Sequence, residues 1–380
     1  MPTRTLPLLD LAGPPREVGR AHGEAARDRI VHNLAVYFER FAGEALLPRE
    51  EALRRAAQYL IVIERQAPDY AELMRGVAEA SGHDLLEIAA LNARYELLYS
   101  SFAEINVAAL QAGRWPGEAA GGCTAFAALP EATPDGHLRI GQNWDWIPEV
   151  QGLLLRVERA DGHRLLCFTE AGIVGGKIGL NSAGIGLAIN GLLSDRDSWA
   201  RLRTPFHVRT WRVLNSQTLD EALDAVLSEE QACSANFLIA QARGAGEGAA
   251  VDLETAPGAS CRLEPRRGLL AHANHFLDPD RLGIWQPLAE ERDSTYHRHA
   301  RMERLLAEHH GRLDAATLQT ILRDHDGRPE SVCRHPNPAW GPSEAYETVI
   351  SVIMDLHARD LLVTAGPPCG HEYQRVPLAA

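Results

Sequence analysis

Gly121-Gly122-Cys123-Thr124 places a thiol directly after two glycines, where a loop gives way to strand-like sequence. Glycine lets a backbone approach a nucleophile closely and adopt conformations that other residues resist. A cysteine after such a bend can attack the preceding carbonyl, moving the acyl group from nitrogen to sulfur, and water then completes the cleavage. The amine so released on Cys123 would titrate near ~7.7–8.0, which suits a general base at neutral pH. Nucleophile and base then belong to one residue. Taken alone, the four residues more readily describe a packed cysteine beyond a Gly-rich turn, because free thiols are among the most buried side chains.

A second group alters that balance. GQNWDW, residues 141–146, follows Cys123 by one hairpin, so strand pairing can bring Asp145 beside it. A carboxylate there would hold the amine and keep it turned towards the thiol. Trp144 and Trp146 alternate around Asp145 and face the other side of the strand as core residues. Lys177, in GGKIG, is the only lysine in the chain. A compact ammonium there is read as ordering the loop or meeting a substrate or the precursor carbonyl, against chance survival in an arginine-rich chain. The run GIVGGKIGLNSAGIG lacks the P-loop ending and reads as a tight loop between strands. His272 and His275 flank Asn274 three apart with no third ligand evident, so no metal site is assigned. Asn236, in SANFLIAQ, reads as a turn or strand-start residue.

The elements that must position these groups follow from periodicity. Residues 15–100 carry apolar positions at helical spacing, and 106–122 lose that period and read as a linker. CTAFAAL and HLRIGQNW across TPDG predict a hairpin, with LLLRVER and HRLLCFTE as another pair. GIGLAIN predicts a strand, 205–227 helices, and SANFLIAQ, GAAVDLET, SCRLEP and GLLAHAN further strands. STYHRHARMERLLAEHH and LDAATLQTILRDH predict helices ahead of strands at TVISVIMDL and DLLVTAG. Helices, then antiparallel strands, then helices and strands point to an α+β arrangement of layers.

Composition limits the partners. The chain has 380 residues, 45% of them hydrophobic, and a formal charge of −13. No basic stripe exists to neutralise phosphates, which excludes nucleic acid. No stretch approaches the ~20 apolar residues of a membrane span, and no signal h-region opens the chain, so a cytoplasmic location is expected. The six cysteines show no zinc-knuckle or redox-dithiol spacing, and most are expected to be small buried side chains, with Cys123 set apart by its surroundings.

Several motifs together resemble the penicillin acyltransferase (isopenicillin-N acyltransferase) family of N-terminal-nucleophile hydrolases. They are GCTAF at 122–126, GQNWDW at 141–146, GKIGLNSAGIGLAINGL at 176–192, LLAHANHF at 269–276, HRHARMERLL at 297–306 and RPESVCRH at 328–335. GPPREVGRAHGEAA near the start is similar to the family's opening helix. The resemblance implies a four-layer αββα sandwich, made as one precursor and cut between Gly122 and Cys123. The products are an α chain (1–122) and a β chain (123–380) that stay associated as a heterodimer around one core. It implies Cys123 as nucleophile and Asp145 as support for its amine. Asn274 would donate into an oxyanion hole with the Cys123 N–H as second donor, and Asn190 is a secondary oxyanion candidate. His275 would line the pocket.

The sequence departs from the family where an arginine is expected ahead of TVISVIMDL. Ala345 stands there, with Arg334 of SVCRH as the nearby substitute. That departure favours a small-molecule amide hydrolase acting through a thioester, with no cofactor. The alternatives are an acyltransferase using an amine acceptor, with acyl-CoA as a co-substrate, and an uncleaved binding protein.

Overall fold

The computed structural model describes residues 6–114, 122–288, 294–339 and 345–379. The amino-terminal part opens with strand β1 (Leu8–Ala12) and continues as six helices: α1 (Pro15–Ala25), α2 (Arg27–Gly43), α3 (Arg49–Gln66), α4 (Pro68–Ser81), α5 (Leu85–Asn92) and α6 (Arg94–Gln111). Local signals set their ends. Pro15 starts α1, and α5 has a capping box in which Asp84 accepts from Leu86 N–H while Glu87 reaches back to Asp84 N–H. Gly82 closes α4 in a left-handed conformation. Helices α1 and α4 cross at contact distance because Gly19, Gly23 and Gly76 carry no side chain; a Cβ on Gly19 or Gly76 would sit 2.1 Å from a facing carbonyl oxygen.

Two sheets follow. The first contains β4 (Gly152–Glu158), β5 (Arg164–Glu170), β6 (Ile178–Asn181), β7 (Ile185–Gly191), β8 (Ala235–Gly244), β9 (Glu247–Ala256) and β10 (Ala259–Leu263), with β1 added in parallel beside β4 as its eighth strand. The second has six strands in the order β11–β2–β3–β12–β13–β14, formed by β2 (Gly122–Ala128), β3 (Arg139–Trp146), β11 (Leu269–His272), β12 (Glu347–Asp355), β13 (Asp360–Thr364) and β14 (Gln374–Pro377). All pairings within the second sheet are antiparallel.

The sheets stack face to face. Strand alternation sends Cys123, Ala125, Ala127, Ile140, Trp144 and Trp146 into the core between them, and Phe126 and Ala128 into a smaller core on the outer side. Gln142 bridges the sheets, its amide donating to Ile189 C=O at 3.0 Å and its oxygen accepting from Ile189 N–H at 2.7 Å. Helices α7 (Phe206–Leu214) and α8 (Leu219–Leu227) cover the first sheet. The outer face of the second is covered by α10 (Ser294–Glu308) and α11 (Ala315–Leu322), with the single turn α9 (Pro279–Leu282) between the two regions of helix. This is the four-layer αββα arrangement that the resemblance implies.

One expectation needs correction. Residues 106–111 are not linker: α6 runs through Gln111, because NVAALQ has good helix formers and the first breaker is Gly113. The rest of the expected linker, 115–121, lies outside the described residues. The main core runs from Leu11 to Leu378, so the parts before and after Gly122 fold as one unit. Among the described residues no helix is long and apolar enough to cross a membrane.

Candidate active site

Strand register builds the site. In the antiparallel β2–β3 pair, Gly122 lies opposite Asp145 and Cys123 opposite Trp144. Alternation then separates the two groups by face. The Cys123 side chain points between the sheets, 3% exposed, while Asp145 points outward under the helices. Asp145 accepts from Thr348 Oγ1 at 2.7 Å. It reaches the start of β2 rather than the sulfur: a Cβ placed on Gly122 would lie 3.0 Å from Asp145 Oδ2, 2.5 Å from Arg334 Nη1 and 3.3 Å from Arg298 Nη2. A carboxylate and two guanidinium groups therefore converge on the residue whose carbonyl precedes the thiol.

Asn274 follows β11, the strand paired with β2, and its side chain holds the backbone of the nucleophile. Its Oδ1 accepts from Cys123 N–H at 2.6 Å and from Arg298 Nη2 at 3.0 Å, which fixes the amide so that Nδ2 faces Gly191 C=O at 3.0 Å. The Cys123 N–H thus spends its donor on Asn274 in the uncleaved chain, and it is not placed as an oxyanion donor. Asn190 precedes Gly191 on β7. Its Oδ1 accepts from Asn236, while its Nδ2 lies 3.5 Å from His272 C=O, at the outer limit of a hydrogen bond. Asn236 is the second residue of β8, the strand-start position that the sequence predicts, and it also donates to Asp252 at 2.7 Å.

Arg298 falls within HRHARMERLL, one of the motifs that carry the resemblance, but sequence reasoning assigned it no role. Buried, it donates through Nη1 to Cys123 C=O at 2.6 Å and to Thr124 Oγ1 at 2.9 Å. Its alternation with exposed helix positions could have marked it only with the helix orientation in hand.

On the inner side the thiol faces a second buried network. Lys177 is fully buried, pairs with Glu170, and holds its ammonium 3.3 Å from the centroid of the Trp144 ring, the cross-strand neighbour of Cys123. Cation and ring attract through the ring quadrupole. Glu170 also takes Tyr37 O–H and both branches of the Arg94 guanidinium, with Arg94 Nε at 3.1 Å. Sequence reasoning found Lys177 by its rarity and missed Glu170, an acid that is inconspicuous at the end of an apolar strand.

These surroundings set the charges. Burial, reinforced by Asp145, pushes the Cys123 thiol up to about 12, against the pull of Arg298, the Asp145 backbone N–H and Lys177. The thiol is therefore protonated at neutral pH and requires a base to react. Burial drives Lys177 down to about 7 against the attraction of Glu170. Burial would raise Glu170, but Arg94 and Lys177 hold its carboxyl down at about 2. His275 turns away to α10, where Nδ1 lies 3.0 Å from Thr295 Oγ1 and the ring packs on Tyr296. Burial keeps it neutral, so it braces the helix beside Asn274. His272 bonds Glu254 at 2.9 Å, as a buried partner of an acid.

The expected substitute for the missing arginine does reach the site. Ala345 stands ahead of β12, and Arg334 comes in from the loop before it: Arg334 N–H donates to Thr348 Oγ1 at 3.0 Å, the hydroxyl that bonds Asp145. The Arg334 guanidinium lies by Gly122, with Nη1 2.5 Å from where a Cβ on that residue would stand.

Gly122→Ala is expected to accumulate uncleaved protein with its fold retained. The added methyl would lie 2.5 Å from Arg334 Nη1, so that guanidinium must move, and overpacking in a buried site costs about 1–3 kcal/mol. The guanidinium would then shift away from the Gly122–Cys123 peptide. Denaturing gels with a circular-dichroism melt check this; normal processing in the variant would contradict it.

Residues 132–368 match the family described as acyl-coenzyme A:6-aminopenicillanic acid acyl-transferase. The chain is 28% identical over 363 residues to the acyl-coenzyme A:6-aminopenicillanic-acid-acyltransferase 40 kDa form of Emericella nidulans, covering 94% of this chain and 91% of that protein. Among solved structures it is similar to penicillin V acylase from Agrobacterium tumefaciens, at 13% identity and TM-score 0.46, covering 64% of this chain and 83% of that one. It is also similar to an N-acylethanolamine-hydrolyzing acid amidase orthologue from Caenorhabditis elegans, at 16% identity and TM-score 0.42, covering 62% and 93%.

Proposed function

Because the chain belongs to the acyl-coenzyme A:6-aminopenicillanic acid acyl-transferase family, we propose that it cuts itself between Gly122 and Cys123 and then works through Cys123 on a linear amide. The observation that carries this reading is the junction itself. The Cys123 nitrogen rests on Asn274 at 2.6 Å, and Asp145, Arg298 and Arg334 close on Gly122.

Processing is intramolecular. The Cys123 sulfur adds to the Gly122 carbonyl, the carbon–nitrogen bond breaks as the nitrogen gains a proton, and water hydrolyses the resulting thioester. The nitrogen that donated to Asn274 becomes a primary amine. Asn274 Oδ1 and the Asp145 carboxylate orient it, with Thr348 and Arg334 fixing Asp145.

In turnover the amine takes the thiol proton as sulfur attacks the substrate carbonyl. It returns that proton to the leaving amine, and a thioester remains. Asn274 Nδ2 has two N–H groups, one bound to Gly191, and the other serves the developing oxyanion. Asn190 Nδ2 is the second donor in this scheme, since the Cys123 nitrogen is then the base. One such donor contributes about 3–4 kcal/mol to the barrier reduction. No cofactor enters any step. The α chain (1–122) and β chain (123–380) stay together as a heterodimer because they share one core.

Water as the acceptor gives an amide hydrolase. An amine acceptor gives an acyltransferase, with acyl-CoA as a donor, and two observations favour it as the second reading: the family itself, and a guanidinium (Arg334) present after all at the site. Incubating mature enzyme with an N-acyl amine or an acyl-CoA, with and without an acceptor amine, separates them. Free acid as the product in both arms establishes the hydrolase, and a new amide formed only with acceptor establishes the transferase. Neither product from a correctly processed enzyme, across a panel of acyl amides and acyl-CoAs, would sink both.

A further inference from the structure

Four side chains, three from residues 325–335 and one from residue 369, meet on the outer side of the second sheet. His325 lies just beyond α11, Cys333 and His335 in the loop leading to β12, and Cys369 in the turn after β13. One ligand atom from each lies within 4.8 Å of all the others. His325 Nε2 and His335 Nε2 face each other at 3.1 Å, and the Cys333 and Cys369 sulfurs approach His335 Nε2 at 3.6 and 3.5 Å.

Hydrogen bonding does not account for this cluster. An imidazole nitrogen offers either one lone pair or one proton in the ring plane, so His335 Nε2 can satisfy only one of its three neighbours. A metal ion at the centre satisfies all of them. Bonds of about 2.3 Å to sulfur and about 2.0 Å to nitrogen, set tetrahedrally, leave ligand atoms roughly 3.3–3.8 Å apart. The observed 3.6 and 3.5 Å sulfur–nitrogen separations fall within that range, and the 3.1 Å between the two imidazole nitrogens lies just below it.

We propose that His325, Cys333, His335 and Cys369 bind one zinc ion as a structural site. Two sulfurs and two imidazoles select zinc over calcium or magnesium, which prefer oxygen, and four protein ligands close the site to substrate. On binding, both thiols release their protons to solvent, no electron moves, and two thiolates neutralise the dication. Cys369 is exposed and gives the ion an entry path.

The site is placed to position Arg334. Cys333 and His335 are its chain neighbours on either side, so anchoring both fixes the residue between them. The loop is already tied by Cys333 N–H to Asp324 C=O at 3.0 Å and by Arg323 Nε to Pro368 C=O at 2.8 Å. Zinc would lock α11, this loop and the turn after β13 into one piece, and so hold Arg334 against Thr348 and the Gly122 junction. That link to Arg334 rests on the proposed active site; the metal site itself does not.

The test is metal content of the full-length protein, expressed with zinc in the medium and dialysed into metal-free buffer. About one zinc per chain is expected by plasma mass spectrometry, falling to trace in Cys369→Ser and unchanged in Cys261→Ser. Replacing zinc with cobalt should give the intense visible bands of a tetrahedral thiolate centre in wild-type protein, which needs no variant to fold. Trace zinc with no cobalt spectrum, or a Cys333–Cys369 disulfide in peptide maps of native protein, would overturn the proposal whether or not the protein is processed.

Discussion

Cys123→Ala is expected to run as a single full-length chain and to show neither amide hydrolysis nor acyl transfer. Removal of one sulfur atom takes away the attacking group for both processing and turnover. The neighbouring hydroxyl cannot replace it: Thr124 lies on the opposite face of β2, with Oγ1 held by Arg298 Nη1 at 2.9 Å. The substitution is otherwise mild, since alanine fits the same buried space between the sheets. Wild-type circular dichroism together with one uncleaved band is therefore the expected pair of results. Cys123→Ser should process slowly, because the more basic hydroxyl is harder to deprotonate in a site that already pushes the thiol up to about 12. Two bands from the alanine variant would remove Cys123 from the cleavage step.

Glu170→Gln should produce the largest loss of stability. Glu170 is fully buried and is the shared anion for Arg94 and Lys177, with Tyr37 O–H as a further donor. Glutamine keeps the shape and one acceptor but removes the charge. Lys177, already driven down to about 7, can shed its proton; Arg94 cannot and becomes an unpaired buried cation. Breaking a buried pair from one side costs about 3–5 kcal/mol, a large part of a typical total of about 5–15 kcal/mol. The denaturation midpoint should drop accordingly, and Arg94→Met combined with Glu170→Gln should recover part of it. An unchanged midpoint in the single variant would show that the network carries little net energy. Loss of the Lys177 charge beneath Trp144 should also leave the thiol harder to ionise.

Much of this was legible in the sequence because it is local. Alternation in CTAFAAL and HLRIGQNW with a turn between them defines the β2–β3 hairpin, and that hairpin alone places Asp145 opposite Gly122. Helical spacing defines α10 and α11. The short edge strands β1 and β14 were not legible: five and four residues beside proline-rich or polar sequence carry too little pattern. Strand β6 was hidden within a glycine run, its identity decided by pairing with β5.

Groups that converge from distant segments carried little local information about their roles. Arg298 comes from a helix, Glu170 from a strand end, and Arg334 from a loop, and each matters through what the fold places against it. The same holds for His325, Cys333, His335 and Cys369, because the fourth member joins from 34 residues beyond His335. Asn274 was found as a site residue, yet its orientation follows from its neighbours: two donors facing Oδ1 fix the amide.

The most direct measurement is the amino-terminal sequence and intact mass of protein purified in active form. A second polypeptide beginning Cys-Thr-Ala-Phe, with a mass equal to residues 123–380, is the predicted result. Fully active protein whose only terminus is the original one ahead of an unbroken Gly122–Cys123 bond would contradict it.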